Sequence, residues 1–354
     1  MVPSLVLLFF TCMALSFFED KFTQRDKVIM YILLGIVMVL IAGLRAVGST
    51  PDTDAYENMF YGKGNTLLEE ATEPSFTFIT SILQSLSLGI NALFTTYALI
   101  SIAIHLPVLW KIARLPLLTL TIYISYYYMM HEMVQIRAGV AAGLFLWAIY
   151  YYVEQKKKIA LGCILVGIFF HYSAAAGLVL FLLSNKLPQW QKIVLYLLVP
   201  VGLLAYFTQL DLSTFVPEEF GGDKLVLYRK LKDKGIEDKL SGWPLEGNLL
   251  IWMNIILFYA SIFYSEFLVK HCKYVLIAIK IQAVGFCFLF FLHGVSAVLG
   301  NRMNDYFSIA SIILWAASAY AFYPKIVGVV FNNIISTFRF ITSMLGYALS
   351  LLFL

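Results

Sequence analysis

The stretch Ile159-Ala-Leu-Gly-Cys-Ile-Leu-Val-Gly-Ile-Phe-Phe-His171-Tyr172-Ser173-Ala-Ala-Ala-Gly-Leu-Val-Leu-Phe-Leu-Leu-Ser184 decides how this chain is threaded. It follows Glu154-Gln155-Lys156-Lys157-Lys158 and is apolar except at its centre, where His171, Tyr172 and Ser173 interrupt it. As one tilted helix the run would cross a bilayer, which takes roughly 20 helical residues. As two segments of about 12 residues, each would rise only about 18 Å against a core of roughly 30 Å, and the chain would enter and return.

Charge decides between the two. With one crossing, the short inner links hold Lys21, Arg25, Lys27, Lys111, Arg114, Lys156, Lys157, Lys158 and Arg302. The outer links then hold Arg45, Lys63, Arg137, Lys186, Lys192, Lys270, Lys273 and Lys325, so neither side is favoured. With a return at His171, the last five of those move inside, and only Arg45, Lys63, Arg137 and Arg302 stay outside in short links. Cytoplasmic links are the ones enriched in Lys and Arg, so the sequence predicts a broken, re-entrant hairpin at 159–184.

The rest of the 354 residues supports a membrane reading: 61% are hydrophobic, only 13% are charged, and the mean hydropathy is +0.82. Soluble domains carry roughly 25% charged residues, so a water-soluble domain, a disordered chain and a nucleic-acid-binding protein are excluded. The net charge of +4 says little, because the side on which cations fall matters more than their sum. Cys12, Cys163, Cys272 and Cys287 form no metal or redox spacing and read as small apolar residues. No basic region precedes the first apolar run, and Glu19-Asp20-Lys21 follows it, which predicts a retained first span rather than a cleaved signal.

Apolar runs are expected to span at about 2–18, 28–44, 90–110, 116–130, 138–153, 248–267, 275–292 and 306–323, with one further span and an interfacial helix within 326–354. The expected fold is an all-α, polytopic transmembrane bundle of about 10–12 membrane segments, forming one integral membrane domain over 1–354. Two sizeable outer loops are expected, at about 45–75 and 209–247. The second holds Lys224, Arg229, Lys230, Lys232, Lys234 and Lys239, but long loops report topology poorly.

The few charges expected on the outer side are the candidate chemistry. Arg45 follows the second span, Arg137 opens the fifth and Arg302 precedes the span at 306–323. One arginine at a helix end is most simply a snorkelling side chain. Three at one level, where cations are otherwise scarce, point to an anionic ligand such as a lipid diphosphate, which a guanidinium binds through paired donors. Gly48 and Pro51 break the chain after Arg45, and Asp52 and Asp54 follow at alternate positions. They suit a general base, a sugar-hydroxyl acceptor or a cation pair, or equally a solvated turn in which Asp54 caps a helix begun by Tyr56. Glu73, before Pro74, has the same ambiguity. His171, in the middle of an apolar run, is either a functional group or a hydrogen-bonded stabiliser of the helix break. Ala138-Gly-Val-Ala-Ala-Gly143 is a small-residue face for close helix packing. Phosphate-binding nucleotide loops and hydrolase nucleophile elbows are absent from the sequence, and no paired transporter halves are visible.

The order of these elements resembles the EpsG family of Wzy-like polysaccharide polymerases. The resemblance is carried by Arg45-x-x-Gly48…Asp52-x-x-x-Tyr56, by Gln135-Ile-Arg137-Ala-Gly-Val-Ala-Ala with Phe170-His171-Tyr-Ser173-Ala some 34 residues on, and by Arg302-x-x-x-Tyr306, over about 30–320. Ser49-Thr50-Pro51 departs from the pattern and leaves open whether Asp52 or Asp54 fills the acidic role. The resemblance implies an enzyme of O-antigen, capsule or exopolysaccharide assembly in a bacterial plasma membrane. It would join oligosaccharide units carried on undecaprenyl diphosphate at the outer face, with no cofactor and no required metal. Its partners would be these lipid-linked units, membrane lipids and, in some systems, a chain-length regulator, but not nucleic acid. On that resemblance Arg45, Arg137 and Arg302 would hold diphosphate; Asp52, Asp54 or His171, with Glu73 a weaker candidate, would accept a proton; and Tyr56 and Tyr306 would line the sugar path. Two rivals are a polyprenyl-phosphate-sugar glycosyltransferase using Asp52-x-Asp54 and a non-enzymatic flippase or exporter. An acyltransferase is less favoured, because His171 lacks an acidic partner at suggestive spacing.

Overall fold

The computed structural model describes residues 1–50, 52–63, 72–210 and 245–352. Pro51 and nearly all of the expected outer loop 209–247, with its lysines, lie outside the described residues.

Every regular element among the described residues is helical. In chain order these are α1 (Val2–Phe17), α2 (Gln24–Gly43), α3 (Thr53–Phe60), α4 (Pro74–Ser85), α5 (Ile90–Ile112), α6 (Pro116–Ser125) and a π-helical segment, Met129–Val134. Then come α7 (Ile136–Val153), α8 (Lys157–Phe170), a 3₁₀ helix (Tyr172–Leu182) and α9 (Gln189–Phe207). The last are α10 (Leu249–Phe263), α11 (Ser265–His271), α12 (Val275–Phe291), α13 (Ala297–Ser308), α14 (Ser311–Ser318) and α15 (Lys325–Leu352). Five helices are long and apolar enough to cross a membrane alone, and α10 with α11 makes a sixth candidate. Shorter apolar helices fill in between them, and the chain is a multi-pass, all-α membrane protein.

The run at 159–184 is a hairpin. Helix α8 is about 21 Å long at ~1.5 Å per residue and ends at Phe170. His171 is extended (φ −155°, ψ 119°), and the 3₁₀ helix then descends for about 22 Å at ~2 Å per residue. Three contacts fix the reversal. A Cβ on Gly167 would touch the Ala174 methyl at 3.4 Å, although seven residues along a continuous helix span roughly 10 Å. Gly177 lies against Phe145 in the middle of α7, and the Tyr152 hydroxyl at the far end of α7 donates to the Leu183 carbonyl. The turn at His171 therefore sits beside the start of α7, and both legs of the hairpin end near its finish.

The lysine-rich links collect at that second end of the bundle. Glu19, between α1 and α2, accepts from the Leu117 and Leu118 amides at 3.0 and 3.1 Å and so caps the start of α6. Lys325 pairs with Asp20 at 2.5 Å, Lys273 with Glu154 at 2.5 Å and Lys192 with Glu266 at 2.8 Å, while Lys280 donates to the Ser184 carbonyl at 2.8 Å. The links that the sequence reading put on one side thus lie at one end of the bundle. Every residue of α6 is buried, as are all but one of α14 and most of α12, so these three form the centre of the bundle.

Several boundaries differ from the sequence reading. Helix α10 stops at Phe263, and α11 turns by 89°, a change of direction that the continuous apolar run 248–267 does not reveal. The link expected over 293–305 is already helical from Ala297, capped by the Ser296 hydroxyl on the Leu299 amide at 3.2 Å. It packs back along α12, where a Cβ on Gly285 would lie 3.1 Å from Phe307 and 3.2 Å from Asn304. Arg302 is thus inside a helix rather than ahead of one. The C-terminal region is one continuous helix, α15, with Asn332, Asn333, Ser336 and Arg339 buried along one face.

Candidate functional site

The site begins where the chain leaves α2. Gly48 adopts φ +75°, and its amide donates to Thr53 Oγ1 at 2.9 Å, while the Thr53 hydroxyl donates to the Thr50 carbonyl at 2.7 Å. This tight turn brings Asp52 to the N-cap of α3, but no side-chain capping bond forms. The helix begins at Thr53, not at Tyr56, which leaves Asp54 exposed in its first turn. Of the two alternate carboxylates, Asp52 faces inward and Asp54 faces away. Burial raises the Asp52 pKa, and the Arg302 and Arg137 guanidinium groups oppose that shift.

Asp52 lines a cavity of about 590 Å³ at the end of the bundle opposite the lysine-rich links. Tyr56, Arg137, His171, Arg302 and Tyr306 line it as well, as do His131, Gln135, Ser173, Asn58 and Lys63. Glu73 stands behind the wall and ties two of these residues together. It is fully buried at the N-cap of α4, where Pro74 sets the first turn. Its Oε2 accepts from Arg137 Nη1, and its Oε1 lies 2.9 Å from His171 Nδ1. The Arg137 guanidinium also sits 5.6 Å from the Tyr56 ring and 5.4 Å from the Phe76 ring. One carboxylate thus fixes an arginine at the start of α7 and a histidine at the turn of the hairpin, groups that are remote in sequence. The acidic partner that spacing did not offer His171 is Glu73.

The cavity has a polarity gradient. Asn58, Lys63 and Arg302 are exposed at its mouth, and Asp52, Gln135, Arg137, His171 and Ser173 are half-buried along it. His131 and Tyr306 form its closed end, 1% and 3% exposed.

Arg45 is not in this group. It is 2% exposed, its guanidinium lies 3.9 Å from the Phe94 ring centre, and Nη1 donates to the Ala42 and Glu132 carbonyls. It therefore joins the outer end of α2 to the π-helical segment.

That segment carries what the sequence reading missed. Within Met129–Val134 the wider turn sends adjacent side chains in opposite directions. Glu132 enters the bundle, accepting from Tyr123 at 2.5 Å and Ser101 at 2.8 Å with His105 3.4 Å away. His131 faces the cavity, its ring stacked on Tyr127 at 5.9 Å. Gly139 in α7 is needed beneath it, because a Cβ there would lie 2.4 Å from the His131 carbonyl oxygen. On the other side of the same segment, Met129, Met130 and Val134 line an apolar groove of about 550 Å³ with Leu249, Phe338 and Ile341. Arg339, from α15, lies deep beside it at 5.4 to 5.6 Å from the rings of Tyr126, Tyr127 and Trp315. Single π-turns inside helical proteins recur at functional sites, but no sequence periodicity announces one.

Fold and cavity together define a multi-pass membrane protein with an arginine-bearing polar site at the end of its bundle opposite the lysine-rich links. A profile of the EpsG family matches residues 28–353, nearly the whole chain, and the chain belongs to that family. Membership puts it among the Wzy-like polysaccharide polymerases in general. No curated protein and no solved structure matches it.

Proposed function

We propose that this protein lengthens polysaccharide by joining undecaprenyl-diphosphate-linked oligosaccharide units at the outer face of a bacterial plasma membrane. The observation that carries the reading is the single cavity in which Arg137 and Arg302 meet Asp52 and His171. An acceptor hydroxyl attacks the anomeric carbon of the donor sugar. The bond from that carbon to the diphosphate oxygen breaks, and the lipid diphosphate leaves with the electron pair. Arg137 and Arg302 hold the diphosphates and stabilise the leaving group, an electrostatic role that is large where water is scarce. Asp52 accepts the hydroxyl proton, while Glu73 holds Arg137 and His171 in place. Tyr56 and Tyr306 border the sugar path.

Arg45 contributes by fixing the π-helical segment rather than by touching phosphate. The apolar groove across that segment suits the polyprenyl chain, whose head then reaches the cavity without leaving the bilayer. Asp54 does not line the cavity, which favours this reading over a cation-dependent polyprenyl-phosphate-sugar transferase that would use the Asp52-x-Asp54 pair. The destination of the polymer, as O-antigen, capsule or exopolysaccharide, depends on the repeat unit supplied.

The pH profile of purified enzyme on lipid-linked repeat units tests the assignment. Asp52 acts as a base only when ionised, and burial raises its pKa. The rate should therefore fall with acidification through a limb above the ordinary aspartate value of about 4. Asp52→Asn should lower the rate by about 10²- to 10⁴-fold and abolish that limb. An unchanged limb in the variant would remove Asp52 from the role.

A further inference from the structure

The closed end of the cavity differs chemically from its mouth. Both ring nitrogens of His131 and the hydroxyl of Tyr306 are buried and have no hydrogen-bond partner. Leaving such groups unpaired costs roughly 1–3 kcal/mol each, so their burial at the end of an open cavity calls for a ligand that completes them. Their ring faces are already committed. His131 stacks on Tyr127, and Tyr306 packs on Phe145 at 5.0 Å and Phe307 at 5.3 Å, which leaves only the polar atoms to be satisfied.

We infer that His131 and Tyr306 form a subsite for the hydroxyls of a sugar ring, distinct from the diphosphate-binding mouth; the inference rests on the polymerase reading above. A neutral imidazole offers one donor and one acceptor, and a phenol does the same. Sugar hydroxyls also donate and accept, whereas a phosphate only accepts, so the acceptor nitrogen of His131 would have no use against a diphosphate. The cations suited to phosphate lie further out, at Arg137, Arg302 and Lys63. The two halves of a lipid-linked oligosaccharide are thus read by different residues: charge at the mouth and hydroxyl geometry at the closed end. Ser173 and Gln135 along the wall continue the neutral surface.

Tyr306→Phe removes only the hydroxyl, and His131→Phe exchanges the ring nitrogens for a somewhat larger apolar ring that can keep the stack on Tyr127, so they separate recognition from folding. Full-length protein in nanodiscs would be titrated with two probes, undecaprenyl diphosphate and the undecaprenyl-diphosphate-linked repeat unit isolated from a polymerase-deficient strain. The wild type should bind the glycan-bearing lipid more tightly. Each Phe variant should weaken that binding about five- to tenfold, the worth of a typical hydrogen bond, and leave undecaprenyl diphosphate binding unchanged. Arg302→Ala should weaken both. Without ligand the Phe variants should melt at or above the wild-type temperature, because an unpaired buried polar group has been removed; a lower melting temperature would indicate a structural role and overturn the subsite. Phe variants that keep the wild-type preference for glycan, or lose affinity for both lipids equally, would overturn it too. A wild type that binds glycan and extends it, beside variants that do the same, sinks the subsite alone. A wild type that binds neither lipid sinks the polymerase reading and the subsite with it.

Discussion

Arg137→Ala will stop chain growth and leave single lipid-linked units to accumulate. Arg137 is held by Glu73 and lies beside the rings of Tyr56 and Phe76, so its guanidinium is aimed before substrate arrives. A donor fixed in this way acts without reorganisation when charge develops on the leaving diphosphate, and removing one such donor lowers rates by about 10²- to 10³-fold. Arg137→Lys should recover only part of the loss, because an ammonium keeps the charge but not the paired donors. The measurement is polymer length in cells and turnover on purified lipid-linked units, at matched protein level. Full-length polymer from Arg137→Ala would remove the residue from the site.

Glu73→Ala should cost the fold more than any exposed substitution near the cavity. The carboxylate is fully buried and faces both Arg137 and His171. Deleting one partner of a fully buried charge pair costs about 3–5 kcal/mol, and the half-buried Arg137, which the cavity leaves partly open to water, brings the expected cost toward the lower end. Total stabilities of roughly 5–15 kcal/mol make that a large fraction. Thermal melting in detergent should show a marked drop for Glu73→Ala and a smaller one for Glu73→Gln, whose amide still offers hydrogen bonds but no charge. An alanine variant that melts like the wild type would mean that Glu73 does not organise Arg137 and His171.

Much of this architecture could be read without coordinates, because bilayer physics constrains a chain so strongly. The hairpin at 159–184 followed from length and from where lysines are tolerated, and the contact of Gly167 with Ala174 matches it. Asp52, Arg137, His171 and Arg302 could be nominated because ionisable groups are rare in such a sequence, and Tyr56 and Tyr306 from the family resemblance; the cavity gathers all six. What the sequence does not encode locally is where a side chain turns. Arg45 stands at the expected level, yet its guanidinium packs on Phe94 instead of entering the cavity. Whether Asp52 or Asp54 faces inward depended on where α3 begins. His131 stayed hidden because a π-turn is a tertiary accommodation with no period of its own, and Arg339 because the rings that surround it lie in α6–π-segment residues and α14, far along the chain.

A cavity that joins lipid-linked sugar units into polymer should do so in a foreign host. Expression in a host that lacks its own polymerase but makes a matched undecaprenyl-diphosphate-linked repeat unit tests it most directly, with the glycan resolved by length. The wild type should give a ladder of many repeat units and Arg137→Ala a single-unit band. A single-unit band from well-expressed wild type, whether or not those units reach the outer face, would contradict the polymerase reading.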